Sequence, residues 1–244
     1  MILEVNSLNK QYTSKEGKVH ALKNFDLQVE KGEILGLLGP NGAGKTTAVK
    51  LIMGFLHPSG GDIRLAGQVL KPSDPRMQIG YLPESFRPNP NLSVKEYLTF
   101  QCRLAHRNGR FVPEEVNTLL SLVGMERFKN RRISNLSKGM GQRVGLAQAF
   151  AGDPSILILD EPTSGLDPLG KGDVIQLLLD MKAGGKTIFF CSHILSEVER
   201  LCDRIGILNE GEIKFMGTVA AFFEKWQVNN LEQAFRQEVL CGQS

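Results

Sequence analysis

Residues Gly39-Pro40-Asn41-Gly42-Ala43-Gly44-Lys45-Thr46 have the form G-x-x-x-x-G-K-[ST], and no other stretch narrows the possible folds so far. The glycines leave room for backbone amides to turn inward around phosphate oxygens, where larger side chains would obstruct them. Lys45 then reaches the β and γ phosphates, and Thr46 offers its hydroxyl to Mg²⁺. The motif carries this meaning only between a strand and a helix. The apolar run Ile34 to Leu38 precedes it. A helix is expected from about Gly44 to Leu56, stopped by His57-Pro58-Ser59-Gly60-Gly61. The positive end of that helix faces the phosphates.

Two further elements carry chemistry. Ile156-Leu157-Ile158-Leu159 reads as a buried strand with Asp160 and Glu161 at its C-terminal edge, where ligands sit in open α/β sheets. Asp160 is placed to hold Mg²⁺ through water. Glu161 is placed to orient the attacking water or take its proton. Leu136-Ser137-Lys138-Gly139-Met140-Gly141-Gln142-Arg143 leads into the apolar segment Val144 to Phe150. A serine there reads as a helix N-cap. Its hydroxyl and the free amides form either a second anion site or an ordinary cap, and the residues alone leave both open.

Around these elements, short apolar runs alternate with helical stretches, which implies a mostly parallel sheet covered by helices. Strands are expected near Phe25–Val29, Ile63–Leu65, Ile79–Leu82, Thr187–Phe190, Ile205–Leu208 and Ile213–Met216, with helices from about Pro168 and near His193. Residues 85–152 change character to helix: Ser93-Val94-Lys95-Glu96 has the form of a capping box, Pro113 suits a helix start and Gly124 its end. The expected division is therefore one domain, with 1–84 and 153–217 as β subdomain plus core, 85–152 as a helical insertion, and 218–244 as a helical tail bearing Phe222, Phe223, Trp226, Leu231, Phe235 and Val239. No apolar run approaches the ~20 residues that a bilayer demands, and Met1-Ile2-Leu3-Glu4-Val5 lacks the form of a signal peptide. A cytoplasmic location follows as an expectation, with Cys102, Cys191, Cys202 and Cys241 as free thiols. A net charge of +3 without a dense Lys/Arg run gives no reason to expect a nucleic-acid partner.

Taken in order, these motifs resemble the nucleotide-binding subunit of an ATP-binding cassette (ABC) transporter along nearly the whole chain. The resemblance implies an α/β fold: a P-loop NTPase (RecA-like) core with a mostly parallel sheet, an N-terminal antiparallel β subdomain and an inserted α-helical subdomain. Gly39 to Thr46 is similar to the Walker A loop, so Gly39, Asn41, Gly42, Ala43, Gly44, Lys45, Thr46 and Thr47 are its expected nucleotide contacts. Ile156 to Glu161 is similar to Walker B with its catalytic glutamate. Leu136 to Met140 resembles the LSGGQ signature, Ser164-Gly165-Leu166-Asp167 the D-loop, and His193 the switch histidine. Tyr12 stands where the family stacks an aromatic ring on adenine. Lys138 and Met140 depart from the signature, whereas Ser137 and Gly139 match it. Glu84, after Tyr81-Leu82-Pro83, replaces the Q-loop glutamine, and a carboxylate there can ligate Mg²⁺. Both departures resemble the subgroup serving ABC-2-type exporters, as does Leu231-Glu232-Gln233-Ala234-Phe235.

The resemblance further implies a head-to-tail dimer around two ATP, with Ser137 and Gly139 of one subunit facing the γ-phosphate held by the other. The pair is a homodimer or a heterodimer with a homologous ATPase, and it drives separate transmembrane permease subunits from the cytoplasmic face of the membrane. The segment from Glu84 to about Arg107 is where the family docks its coupling helix, with Phe86, Tyr97, Leu98 and Phe100 as apolar candidates for that contact or for the core. The alternative is a soluble ABC-type ATPase acting on nucleic acid or ribosomes, whose members usually carry two cassettes or long coiled-coil insertions. A P-loop kinase or GTPase fits less well: Asp160-Glu161 suits hydrolysis, and no guanine-reading Asn-Lys-x-Asp occurs.

Overall fold

A long antiparallel hairpin opens the chain: β1 (Leu3–Ser14) pairs with β2 (Gly17–Val29). In β2 the expected alternation places Phe25, Leu27 and Val29 inward and leaves the residues between them exposed. The register shifts three times between Val5 and Gln11, and such bulges bend a strand and increase its twist. Ser7 and Asn24 take left-handed conformations at φ 45° and 43°. Local bonds hold them there, with the Ser7 amide donating to Asp26 Oδ1 at 2.7 Å and the Asn24 amide to Asn9 Oδ1 at 3.0 Å.

The computed structural model describes residues 1–14, 17–106 and 112–241 and divides into two units, Met1–Arg76 with Lys182–Ser244, and Met77–Met181. In the first unit the hairpin is followed by β3 (Ile34–Leu38), whose residues are all buried. A strand buried on both faces needs parallel neighbours covered by helices. Next come α1 (Lys45–Ile52), β4 (Gly60–Leu65) and β5 (Gln68–Val69). β4 joins β1 antiparallel, giving a four-stranded sheet in the order β2-β1-β4-β5. Helix α1 stops four residues short of the expected Leu56 because Gly54 turns left-handed at φ 74° and Arg76 Nε caps the Ile52 carbonyl at 3.0 Å.

The second unit holds β6 (Ile79–Leu82), α2 (Val94–Ala105), α3 (Val112–Leu122), α4 (Lys138–Phe150) and β7 (Ile156–Asp160), followed by α5 (Pro168–Ala183). β6 and β7 run parallel, Ile79 opposite Ile156. The capping box at α2 forms as expected: Glu96 N donates to Ser93 Oγ at 3.2 Å, and Ser93 N to Glu96 Oε2 at 2.8 Å. These bonds hold the Glu96 carboxyl below its ordinary range. The helical stretch read at 85–152 lies within this unit.

The chain then returns to the first unit with β8 (Thr187–Cys191), α6 (Leu195–Leu201), β9 (Arg204–Asn209) and β10 (Glu212–Thr218). β3 lies between β8 and β9, parallel to both, and β10 closes antiparallel on β9. The tail forms α7 (Val219–Trp226) and α8 (Leu231–Cys241). The buried Glu238 carboxylate on α8 accepts from Lys225 Nζ at 2.6 Å and Trp226 Nε1 at 2.8 Å, which fastens the two tail helices together. Cys102 and Cys202 are free thiols, Cys191 is buried on β8, and burial pushes Cys102 up to about 12. The Cys241 side chain and Arg107, both named from the sequence, lie outside the described residues.

Candidate functional site

The phosphate loop joins β3 to α1 in the first unit. Lys45 Nζ donates to the carbonyls of Gly39 at 2.6 Å and Pro40 at 3.1 Å, so the ammonium group lies against the start of the loop. Gly44 caps α1 at φ 113°, and the first turn of the helix carries no acid to offset its free amides. The loop glycines have separate causes. A Cβ on Gly39 would stand 2.3 Å from the Leu208 carbonyl of β9, and one on Gly44 would stand 2.5 Å from the Ala21 carbonyl of β2. Gly42 has open space around it but requires φ 83°. Ala43 is buried, Asn41 is exposed, and Thr46 and Thr47 are half-buried on the first turn. The Gly211 amide, in the β9–β10 turn, donates to Ala43 O at 3.0 Å and braces the loop from behind.

His193 and Tyr12 belong to the same unit. His193 is exposed on the loop after β8, and the helix starts at Leu195, beyond the position expected from sequence. The buried Ser192 hydroxyl accepts from the Ile194 amide at 3.0 Å and shapes that loop. Tyr12 pairs with Val19 across the hairpin, exposed, with Lys10 Nζ 5.2 Å from its ring centre.

In the second unit, β7 delivers Asp160 and Glu161 at its C-terminal end, 3 % and 7 % exposed. Glu161 takes φ 54° directly before Pro162. Ser137 caps α4 by accepting from the Met140 amide at 3.2 Å, with Lys138 exposed and Gly139 half-buried on the first turn. Arg131 Nη1 lies 3.8 Å from Met140 Sδ. Asp167 caps α5 through Oδ1, which accepts from Gly170 N at 2.7 Å, and Pro168 fills the first helical position. Glu84 is exposed just beyond β6. Of the four apolar docking candidates, Tyr97 and Leu98 belong to the core: burial pushes the Tyr97 hydroxyl up to about 12, and it donates to Gln148. Phe86 is half-buried and Phe100 is 52 % exposed. The residue whose role the sequence left unread is Gln142. It is buried on α4 and donates to the carbonyls of Glu161 and Pro162. A polar residue on an otherwise apolar helix face was the available signal.

The family model described as ABC transporter matches residues 22–164. The chain belongs to the ABC transporter family. This ABC cassette is 46 % identical over 204 residues to an uncharacterised ABC transporter ATP-binding protein of Nostoc sp., covering 83 % of this chain and 61 % of that one. A Nod factor export ATP-binding protein I of Cupriavidus pinatubonensis is 37 % identical over 212 residues, covering 86 % of the cassette and 64 % of that protein. The ABC transporter ATP-binding protein NatA of Bacillus subtilis is 33 % identical over 247 residues, covering 99 % of both chains. The cassette thus spans less than two-thirds of the length of the Nostoc and Cupriavidus relatives, at 61 % and 64 %. A solved ATP-binding subunit of an ABC transporter superposes with TM-score 0.86 at 31 % identity over 98 % of this chain and 99 % of that one. A dimeric post-hydrolysis ATP-binding cassette bound to ADP and Pi superposes at 0.82 and 26 % identity, over 89 % and 99 %. The fold is accordingly that of the P-loop NTPase cassettes.

Proposed function

We propose that this chain binds and hydrolyses ATP with Mg²⁺, dimerises around two nucleotides, and drives separate transmembrane permease subunits of an exporter. The observation that carries the reading is the phosphate loop: left-handed Gly42 and Gly44, an acid-free helix start, and Lys45 lying against the loop. Lys45 supplies the cation for the β and γ phosphates, and the amides of residues 41–46 cradle them. Tyr12 presents an exposed ring for adenine. Thr46 and Asp160, with Glu84 as a third oxygen donor, serve Mg²⁺. Among the described residues no cluster of three or more metal-ligating side chains exists. Mg²⁺ is commonly held by one or two carboxylates, with phosphate and water filling the rest of its shell. When bound, the metal would offset the charge of the phosphate oxygens.

Glu161 works on the attacking water and His193 on the γ-phosphate. Ser137, Lys138, Gly139 and Met140 face the nucleotide of the second subunit, and Asp167 lies in the segment between these roles. The dimeric neighbour supports the pairing, and the relative named for Nod factor export, with the Leu231–Phe235 ending, supports the direction. Among the described residues no helix is long and apolar enough to cross a membrane; in this reading the permease holds the chain at the cytoplasmic face. Purification from membranes with identification of a co-purifying polypass protein tests this reading. In the reconstituted complex, Lys45→Ala abolishes hydrolysis and weakens nucleotide binding. Wild-type turnover by that variant would falsify the site, and ATP-driven inward movement would overturn the exporter assignment.

A further inference from the structure

Gln142 is the only polar side chain that α4 buries among the described residues; the others packed on that helix are Val144, Gly145, Leu146, Ala147, Ala149 and Phe150. Its Nε2 donates to Glu161 O at 3.0 Å and to Pro162 O at 2.9 Å. An amide nitrogen carries two hydrogens, and both are used. Because both partners are carbonyls, only the nitrogen end of the side chain can serve them. The two acceptors lie in the turn leaving β7, where Glu161 holds φ 54°. A proline disfavours helical-type conformations in the residue before it, and a left-handed non-glycine residue persists only where its surroundings over-determine it. Two donated hydrogen bonds on successive carbonyls fix the peptide planes on either side of Pro162. They thereby fix the direction in which Glu161 leaves the backbone.

The same helix touches this segment a second time. A Cβ on Gly139 would stand 3.1 Å from Leu166 Cδ2, and one on Gly165 would meet Lys138 Cδ at 2.5 Å, so the first turn of α4 is packed onto the turn that follows Glu161. Arg143 also anchors the helix, bonding Asp173 at 2.9 Å and the Val123 carbonyl at 3.2 Å. The signature turn and the backbone of Glu161 therefore belong to one braced piece.

We propose that Gln142 is a positioning residue for Glu161, clamping its turn from α4 and linking the signature turn of a chain to that chain's own glutamate. The proposal rests on the reading of Glu161 as the group that works on the attacking water. It concerns a carboxylate that stays in place but is aimed by a neighbour, so its mark is on turnover rather than on nucleotide binding.

Gln142→Met keeps length and bulk and removes both donors; Gln142→Asn keeps an amide and withdraws it by one methylene. Each is measured in the permease complex beside wild type and Glu161→Gln. The expected result is a kcat lowered about 10²-fold, the scale of a misplaced reacting group, with the KM for Mg-ATP and the ATP-dependent dimer unchanged. In the Glu161→Gln background the same change slows hydrolysis no further, because the group it aims is already gone. Hydrogen exchange of the isolated chain without nucleotide gives a readout independent of activity: the amides of Glu161 and of residues 163–167 exchange faster in both variants. Unchanged kcat and exchange in the two variants overturn the proposal, as does equal slowing with and without Glu161. If Gln142→Met does not fold, Gln142→Asn decides by the same criteria. A wild-type complex that does not hydrolyse ATP overturns the underlying reading and this proposal together, whereas an active wild type with an indifferent Gln142 removes this proposal alone.

Discussion

Gly39→Ala isolates a constraint that phosphate chemistry alone would not impose. The added Cβ falls 2.3 Å from the Leu208 carbonyl oxygen and 3.0 Å from Ala43 Cβ. A tolerable carbon–oxygen approach is about 3.3 Å, so something must move by about 1 Å. Leu208 cannot easily yield, because β9 is held on one side by β3, with Leu38 opposite Ile207, and on the other by β10, with Ile213 opposite Leu208. The displacement therefore falls on the loop. Overpacking of this kind costs about 1–3 kcal/mol, and a chain of this length loses about 2–4 °C of Tm per kcal/mol. Loss of one hydrogen bond to a charged oxygen costs about 1.5–3 kcal/mol, so ATP affinity falls roughly 10- to 150-fold. Thermal unfolding with and without Mg-ATP reads both effects. At a concentration near 100 times its Kd, the wild type gains about 2.7 kcal/mol from the ligand, and the variant gains much less at the same concentration. Gly42→Ala is the control: open space surrounds that position, and only its φ of 83° is strained, so it costs about 1–2 kcal/mol from backbone alone. A Gly39→Ala protein with wild-type Tm and a full ATP-induced shift would refute the steric argument.

Two other substitutions probe the carboxylates. Glu161→Gln slows hydrolysis by about 10²-fold or more while ATP stays bound. The expected readout is an ATP-stabilised dimer by light scattering, and absence of that dimer with or without the permease counts against the sandwich arrangement. Glu84→Gln removes one negative charge from the exposed residue after β6. Hydrolysis persists and half-maximal activity moves to lower Mg²⁺, whereas superimposable Mg²⁺ titrations of the two proteins would end the metal role.

What the sequence alone determined is local. The cap of Ser137 and the capping box of Ser93 each reach three residues along the chain, so the residues that decide them are adjacent in the text. The inward alternation of Phe25, Leu27 and Val29 and the wholly buried Ile34–Leu38 follow from periodicity, which needs no knowledge of the partner strand. The glycine-rich loop is legible for the same reason, since residues 39–46 form one continuous segment.

What only the tertiary structure decided depends on groups far apart in the chain. Arg76 ends α1 from 24 positions away. Leu208 and Ala21 demand glycine at 39 and 44 through close backbone approach, a cause the loop's own sequence does not contain. Tyr97 and Leu98 went to the core while Phe100 stayed exposed, because the turn of α2, not the apolarity of the side chain, sets which face is covered. Gln142 became a clamp only when folding brought the Glu161 carbonyl to it across 19 residues. A donor has a role only where an acceptor meets it, and packing chooses the acceptor.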